Sequence, residues 1–277
     1  MNRRKALITS GLGALLPFTG ELKAGDFAYH QSENLKIGMA GYSFAHYKGN
    51  IDQVISVMQA TGVNHMTLKD FQLPYSSNQE QAAAIITKLR TAGIEPYGLG
   101  VIYMESVQDV EKFFAYAATA GISLIIGSPA PELLPAVEEK VKTTGIRIAI
   151  HNHGPEDKRY PDIDSIYALI KNKNSGMGIC LDVGHSFRCG HDPADMLKRY
   201  GSRVMDMHIK DVTEPIPSGT STIPGRGKLN LRGVFEAAVS MGYQGFCSLE
   251  YERPGDPALG IAESIGYMKG LMKGLSR

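Results

Sequence analysis

Thr144-Gly145-Ile146-Arg147-Ile148-Ala149-Ile150-His151-Asn152-His153 carries the pattern from which the rest of the chain is built. A glycine closes one helical segment, an apolar run of the kind buried in a parallel sheet follows, and imidazoles stand where that run ends. Glycine suits the left-handed position just past a helix, where a side chain is costly. The same punctuation recurs at Thr61-Gly62, Ala92-Gly93, Ala120-Gly121 and Met241-Gly242, each time handing the chain to a new β-rich run. Working outward, strands are predicted over 36–41, 65–69, 95–101, 123–127, 147–152, 178–182, 204–210 and 246–250. Between them, apolar residues recur at helical spacing: Ile51, Val54, Ile55 and Met58; Ala83, Ile86 and Leu89; Val110, Phe113 and Phe114. Eight strands alternating with helices predict an α/β protein, a (β/α)8 TIM barrel in a single domain. A doubly wound open sheet is the competing architecture, but no G-x-G-x-x-G follows the first strand, so a dinucleotide site has no support.

The chain has 277 residues, 43% hydrophobic and 21% charged, ample for one core and close to the length of a single barrel. Its formal net charge of +1 offers no field to gather a polyanion or a membrane surface, so no nucleic acid partner is expected. At the N-terminus, Arg3, Arg4 and Lys5 precede an apolar run over 6–18 and a polar stretch over 21–26, the layout of an export leader. The paired arginines suggest the twin-arginine route to the periplasm. That run is too short to span a bilayer, and no stable membrane anchor is expected. Residues 1–25 therefore read as an export signal and residues 26–277 as the barrel; the other reading of the leader is an amphipathic helix packed beneath the barrel. Cys180 and Cys247 sit in apolar runs, where cysteine behaves as a small hydrophobe, so no disulfide framework is expected from them and Cys189. The longest unpatterned stretch, 212–229, is the kind of extended loop that covers an active site.

Catalytic groups of such barrels stand at the C-terminal ends of the strands. His151 and His153 end the fifth predicted strand, Asp182 ends the sixth with His185 just beyond, and His208 ends the seventh with Asp211 after it. Glu250 and Glu252 close the eighth. Taken singly, each has a plain structural reading as a helix cap or a scaffold hydrogen bond. Four consecutive strand ends of this kind would crowd charge into one mouth unless a cation or a hydrogen-bond network organised it. The donor types suit one divalent ion, Mn, Co, Zn, Fe or Mg, better than Ca.

Five segments together resemble the sugar phosphate isomerase/epimerase family of xylose-isomerase-like TIM barrels, over nearly the whole chain after the leader. They are Ile150-His151-Asn152-His153-Gly154, Leu181-Asp182-Val183-Gly184-His185, Met207-His208-Ile209-Lys210-Asp211, Gly225-Arg226-Gly227 and Ser248-Leu249-Glu250-Tyr251-Glu252. The family includes ketose 3-epimerases and inositol-pathway enzymes. The resemblance implies a metal held by a Glu on strand five, an Asp on six, a His on seven and a Glu on eight; the last three fall on Asp182, His208 and Glu250. It also implies that His185 contacts substrate and that an Arg in the Gly-flanked loop, here Arg226, lies near it. Strand five departs from the pattern, because His151-Asn152-His153 stands where many members read E-N-H. Either imidazole can ligate, but a mechanism with two opposed metal-bound glutamates is put in doubt. Lys69 stands on strand two where relatives commonly carry an acid.

A divalent cation chelated by a carbonyl and its neighbouring hydroxyl stabilises the anion formed when the adjacent C–H loses its proton. Return of a proton then gives an epimer or an isomer, and loss of a β-substituent gives elimination; the fold does not choose among them. The residues expected to act are Glu250, His185, His153 and Lys69 in catalysis, and Lys210, Arg226 and Glu252 on the substrate. His151, Asp182, His208 and Glu250 are expected on the metal, with His153 the alternative to His151. Lys210 has a second reading as the salt-bridge partner of Asp211. Tyr42, Phe71 and Tyr103 are candidates for an apolar wall under a sugar face. The expected partner is a small carbohydrate, a non-phosphorylated keto-sugar given the export leader and the lack of a P-loop; self-association stays open. An isomerase or epimerase is the leading expectation, followed by a lyase or hydratase on a 3-keto-sugar or keto-glycoside, then a non-catalytic sugar-binding barrel. A phosphodiesterase of the abasic-site endonuclease type would need several zinc ions and a basic groove, which a net charge of +1 does not support.

Overall fold

Eight parallel strands close into a barrel in a computed structural model that describes residues 35–275. They are β1 (Lys36–Met39), β2 (His65–Leu68), β3 (Glu95–Met104), β4 (Leu124–Pro129), β5 (Arg147–His151), β6 (Met177–Asp182), β7 (Val204–Ile209) and β8 (Phe246–Leu249). Each pairs with its sequence neighbours, and β8 closes the ring on β1 with Phe246 opposite Lys36 and Leu249 opposite Met39. All eight strands fall where the sequence predicts them, with some ends displaced. β3 runs three residues beyond the apolar stretch because Ile102, Tyr103 and Met104 continue to pair with Gly127, Ser128 and Pro129 after a register shift. The predicted export leader lies outside the described residues, and among those described no helix is long and apolar enough to cross a membrane.

The nine helices of the described chain are α1 (Ile51–Thr61), α2 (Gln79–Thr91), α3 (Val107–Ala120), α4 (Leu134–Thr144), α5 (Ile163–Ile170), α6 (Val183–Arg188), α7 (Pro193–Tyr200), α8 (Leu231–Ser240) and α9 (Ala258–Leu275). Side-chain caps start many of them: Asn50 accepts from Gln53 N–H, and Asn78 and Gln81 form a reciprocal capping box. The five punctuating glycines all take positive φ: 60° at Gly62, 80° at Gly93, 65° at Gly121, 72° at Gly145 and 63° at Gly242. The apolar faces of α1 and α3 pack inward through Val54, Met58, Val110, Phe113 and Phe114. On α2 the buried stripe is Ala82, Ile86 and Leu89, one residue away from the predicted start at Ala83, which is exposed. Ala at both positions leaves the apolar count unable to choose the phase. Inside the barrel, Val101, Leu124, Ile126, Ala149 and Cys180 form a packed layer with Tyr97 and Met205 against it. All three cysteines are free thiols.

Gly121 offers a clean test of this punctuation, since a methyl group added there meets nothing within 4 Å and only the left-handed backbone resists it. Gly121→Ala is expected to lower stability by about 1 kcal/mol in urea unfolding. An unchanged midpoint would show that the turn relaxes and that the glycine is dispensable.

Candidate active site

His151 is the last residue of β5, Asp182 the last of β6, His208 the fifth residue of β7, and Glu250 follows β8 directly. The pairing register sets Asp182 opposite His208 and His208 opposite Ser248, so these ends meet at one level of the mouth. One ligand atom from each of His151, Asp182, His208 and Glu250 lies within 4.8 Å of all the others. Nε2 of His151 is 3.0 Å from Nδ1 of His208 and 3.5 Å from Oδ2 of Asp182, and Nδ1 of His208 is 3.1 Å from Oε2 of Glu250. A tetrahedral ion with bonds near 2.1 Å has ligand-to-ligand edges of ~3.4 Å. The four donors fit such an ion in spacing and in chemistry. All four side chains are buried, and Oδ2 of Asp182, the oxygen turned to the cluster, meets the His151 imidazole and the Lys210 ammonium at 3.5 and 3.0 Å.

The backbone explains how these atoms are delivered. Oδ1 of Asp182 caps α6 by accepting from His185 N–H at 2.8 Å, which leaves Oδ2 for the cluster. The Asn152 side chain clamps the same residue, accepting from Asp182 N–H at 2.9 Å and donating to its carbonyl at 3.2 Å. His151, not His153, is the strand-five imidazole that the cluster contains. His153 instead places Nε2 2.8 Å from the Tyr103 hydroxyl and Nδ1 3.2 Å from Asp157.

Lys210 is the residue that balances the cluster. Its buried ammonium lies 3.0 Å from Asp182, 2.8 Å from Glu250 and 2.9 Å from Glu252. Burial opposes its charge, but these three carboxylates more than reverse that and hold its pKa well above the usual lysine range. Burial likewise opposes the charge of Glu250, and His208 and Lys210 override it, keeping the carboxyl well below its usual value. Burial would also lower the His208 pKa, yet Cys180 and Glu250 raise it. Room for the Lys210 stem comes from Gly184, where a Cβ would stand 2.4 Å from Lys210 Cγ. The expected Lys210–Asp211 salt bridge gives way to a different arrangement. Asp211 accepts the N–H groups of Val212, Gly225 and Gly227 at 2.9 Å and of Leu229 at 3.1 Å, gathering the 212–229 loop. Successive residues of an extended chain point to opposite sides, so Lys210 and Asp211 serve different neighbours. Gly227 is required there, since a Cβ would fall 2.1 Å from Asp211 Oδ1.

The remaining predicted groups divide. His185 lies beside the cluster, Nε2 3.9 Å from Asp182 Oδ2 and its ring 6.0 Å from that of His151. Burial pushes the His185 pKa down to about 3 and that of His153 to about 4, leaving both imidazoles neutral at neutral pH. Glu252 joins through Lys210, and Lys69 donates to the Val101 carbonyl at 2.9 Å with its ammonium 5.9 Å from the Tyr42 ring. Arg226 is not drawn into the cluster: its exposed guanidinium forms a two-pronged pair with Glu263 on α9, at 2.6 and 2.8 Å. Tyr103 stacks on His153 with ring centres 5.3 Å apart, while Phe71 is half-buried in the turn after β2. Sequence reasoning missed Asp157 behind His153 and the loop-gathering role of Asp211. The glycines flanking Arg226 are the signal for the second. A cavity of about 820 Å³ opens at the opposite end of the barrel among the first residues of the strands, including Lys36, Glu95 and Arg147. Strand C-terminal geometry, not volume, locates the chemistry.

The family model described as xylose isomerase-like TIM barrel matches residues 50–271. The chain belongs to this family. One curated relative, inosose dehydratase of Lacticaseibacillus casei, is 26% identical over 141 residues, covering 45% of this chain and 46% of that enzyme. The chain thus spans less than half the length of the curated relatives it matches. Among solved members of the fold, the IolI protein with a bound zinc atom superposes with a TM-score of 0.74 at 16% identity, covering 87% of this chain and 99% of that one. A probable 3-DHS dehydratase from Bacillus anthracis gives 0.68 at 13% identity, covering 84% and 98%. At such identities the two structures speak to the fold alone.

The charge balance around Lys210 predicts that Lys210→Met destabilises the metal-free protein by about 3–5 kcal/mol, because three carboxylates lose their common counter-charge. A divalent ion added in excess should restore part of that loss by mass action. Urea unfolding with and without the ion checks both, and wild-type stability in the variant would refute the balance.

Proposed function

We propose that this family member is a divalent-metal-dependent carbon–oxygen lyase that removes water from a non-phosphorylated keto-sugar or keto-cyclitol. The observation that carries the reading is the asymmetry of the cluster. Asp182 divides its oxygens between the α6 cap and the cluster, and strand five presents His151, so Glu250 is the one carboxylate of the four donors left to act as base. Epimerisation by opposed carboxylates needs a glutamate where His151 stands; elimination needs one base and a proton donor for the departing hydroxyl. Similarity to inosose dehydratase supports elimination over the isomerase or epimerase favoured from the sequence alone.

A cation held by His151, Asp182, His208 and Glu250 would polarise the substrate carbonyl and acidify the neighbouring C–H. Glu250 takes that proton, and the electrons of the broken C–H bond become the new C=C bond. The β C–O bond breaks as that C=C bond forms, and its electron pair leaves on the oxygen, which takes a proton from the mouth and departs as water. Tyr103 fits that donor role: burial and the nearby Asp157 and Glu250 raise its pKa, so it stays protonated, and it stands beside His153 at the exposed rim. Lys69 and His185 would steady the carbonyl oxygen and its neighbouring hydroxyl, a role supported by the nearness of His185 to Asp182 and by the pull of Glu250 on the Lys69 ammonium. The leader-like first 25 residues support export to the periplasm, where a non-phosphorylated substrate is in keeping.

Incubation with keto-sugars in D2O tests the outcome. The expected product has lost one water and carries a conjugated C=C bond; a product of unchanged composition with solvent deuterium at the carbon next to the carbonyl would mean epimerisation or isomerisation instead. His208→Ala is expected to lose both activity and the bound divalent ion by elemental analysis. Full metal content in that variant would refute the ligand assignment.

A further inference from the structure

Beside the metal cluster lies a second, smaller cavity of about 290 Å³, walled by the 3-10 turn Gly41–Tyr47 after β1 and by residues 251–257 after β8. Its volume is at the lower end of small-molecule pockets, which run from about 300 to 1,000 Å³, so it suits one ring and not a chain of them. Two aromatic residues, Tyr42 and Tyr251, line it together with His46, Glu252 and Arg253. Tyr42 is 43% exposed, far from the state of a core aromatic. Glu252 belongs to this wall and to the active site at once, since Lys210 joins it to Glu250.

The walls are held by internal bonds. The buried Ser43 hydroxyl donates to the Leu249 carbonyl at 3.0 Å and accepts from Tyr251 N–H at 2.9 Å, tying one wall to the other. The Tyr47 hydroxyl donates to Asp256 at 2.9 Å, and the same carboxylate oxygen accepts from Ala258 N–H. A pocket braced in this way loses little entropy on binding. Its lining combines aromatic faces, a cation, an anion and an imidazole, and neither sign of charge dominates. That chemistry matches a neutral polyol, whose apolar ring faces pack on aromatics while its hydroxyls both donate and accept.

We propose that this cavity is a subsite for the second ring of a disaccharide, so that the substrate is a two-ring sugar whose reducing ring carries the ketone over the cluster and keeps the free anomeric hydroxyl, β to that ketone, which leaves as water. The inference rests on the keto-sugar reading above and narrows it. The test has two arms. In the first, maltose and cellobiose, which lack the ketone, are titrated into the wild-type protein and into Tyr42→Ala, Arg253→Ala and the cavity-filling Ala45→Phe. At least one disaccharide should bind, and each variant should weaken it by tenfold or more. In the second, the ratio of kcat/KM for dehydration of a disaccharide with its ketone at C3 of the reducing ring to that for a 3-keto-monosaccharide is expected to exceed ten and to fall toward one in the variants. Dehydration of a single-ring keto-sugar without preference or disaccharide binding would overturn the subsite and leave the lyase intact. Disaccharide binding sensitive to the variants, with no turnover of either substrate, would keep the subsite and overturn the lyase.

Discussion

Everything at the barrel mouth follows from confining carboxylates where water cannot screen them. Asp182, Glu250 and Glu252 converge on the single ammonium of Lys210, and the first two are buried. Removing an ion from water costs several kcal/mol even after the protein relaxes. Three negative charges against one positive leave a formal deficit of two when the imidazoles are neutral, which is the charge of a divalent cation. The nitrogens of His151 and His208 complete the coordination without changing that sum. Local neutrality, and not ligand geometry alone, is therefore what would suit this donor set to a divalent ion.

The scaffold bends its own rules to hold that arrangement. Gly184 sits one residue past the start of α6, where alanine would favour the helix by about 1 kcal/mol. Its absent side chain is where the Lys210 stem passes. Asp182 serves as helix cap and cluster member at once, so the first turn of α6 and the position of Oδ2 cannot vary independently. Asp211 does for the 212–229 loop what Asp182 does for α6: one carboxylate gathers several backbone N–H groups and fixes where the following segment starts. Strand ends, helix starts and loop roots at this face are thus locked by the same acidic residues that the chemistry surrounds.

Much of this was legible from local signals. Glycine at the end of a helix and an apolar run after it are properties of a few consecutive residues, which is why each strand appears where it is predicted. Ends were less legible, as at Ile102–Met104, because pairing with β4 depends on a partner distant in sequence. The meeting of His151, Asp182, His208 and Glu250 could be read because strand ends share one face of a barrel whatever their separation. The partners of Lys210, the turn of Arg226 toward Glu263 and the place of Asp157 behind His153 could not. Each depends on which long side chain reaches which neighbour across several ångströms, and that is set by packing between elements.

The two ends of the barrel show why size misleads as a guide to function here. At the strand starts, side chains stand apart and leave a wide cavity, closed toward the interior by Tyr97, whose hydroxyl meets Asp206 and Ser248. Burial pushes the Asp206 carboxyl up to about 7, and the hydroxyls of Tyr97 and Ser248 donate to it, so a polar plug closes this end. Above it the apolar layer of Val101, Leu124, Ile126, Ala149 and Cys180 insulates the mouth. At the mouth, ligand atoms within 4.8 Å of one another leave space for an ion and little else. A site built to grip a cation must be small, because each ångström of added separation weakens the attraction that offsets the burial of its carboxylates. The room needed by a sugar then has to come from the rim, where Tyr42 and Tyr103 stand exposed and the pocket beside Glu252 opens.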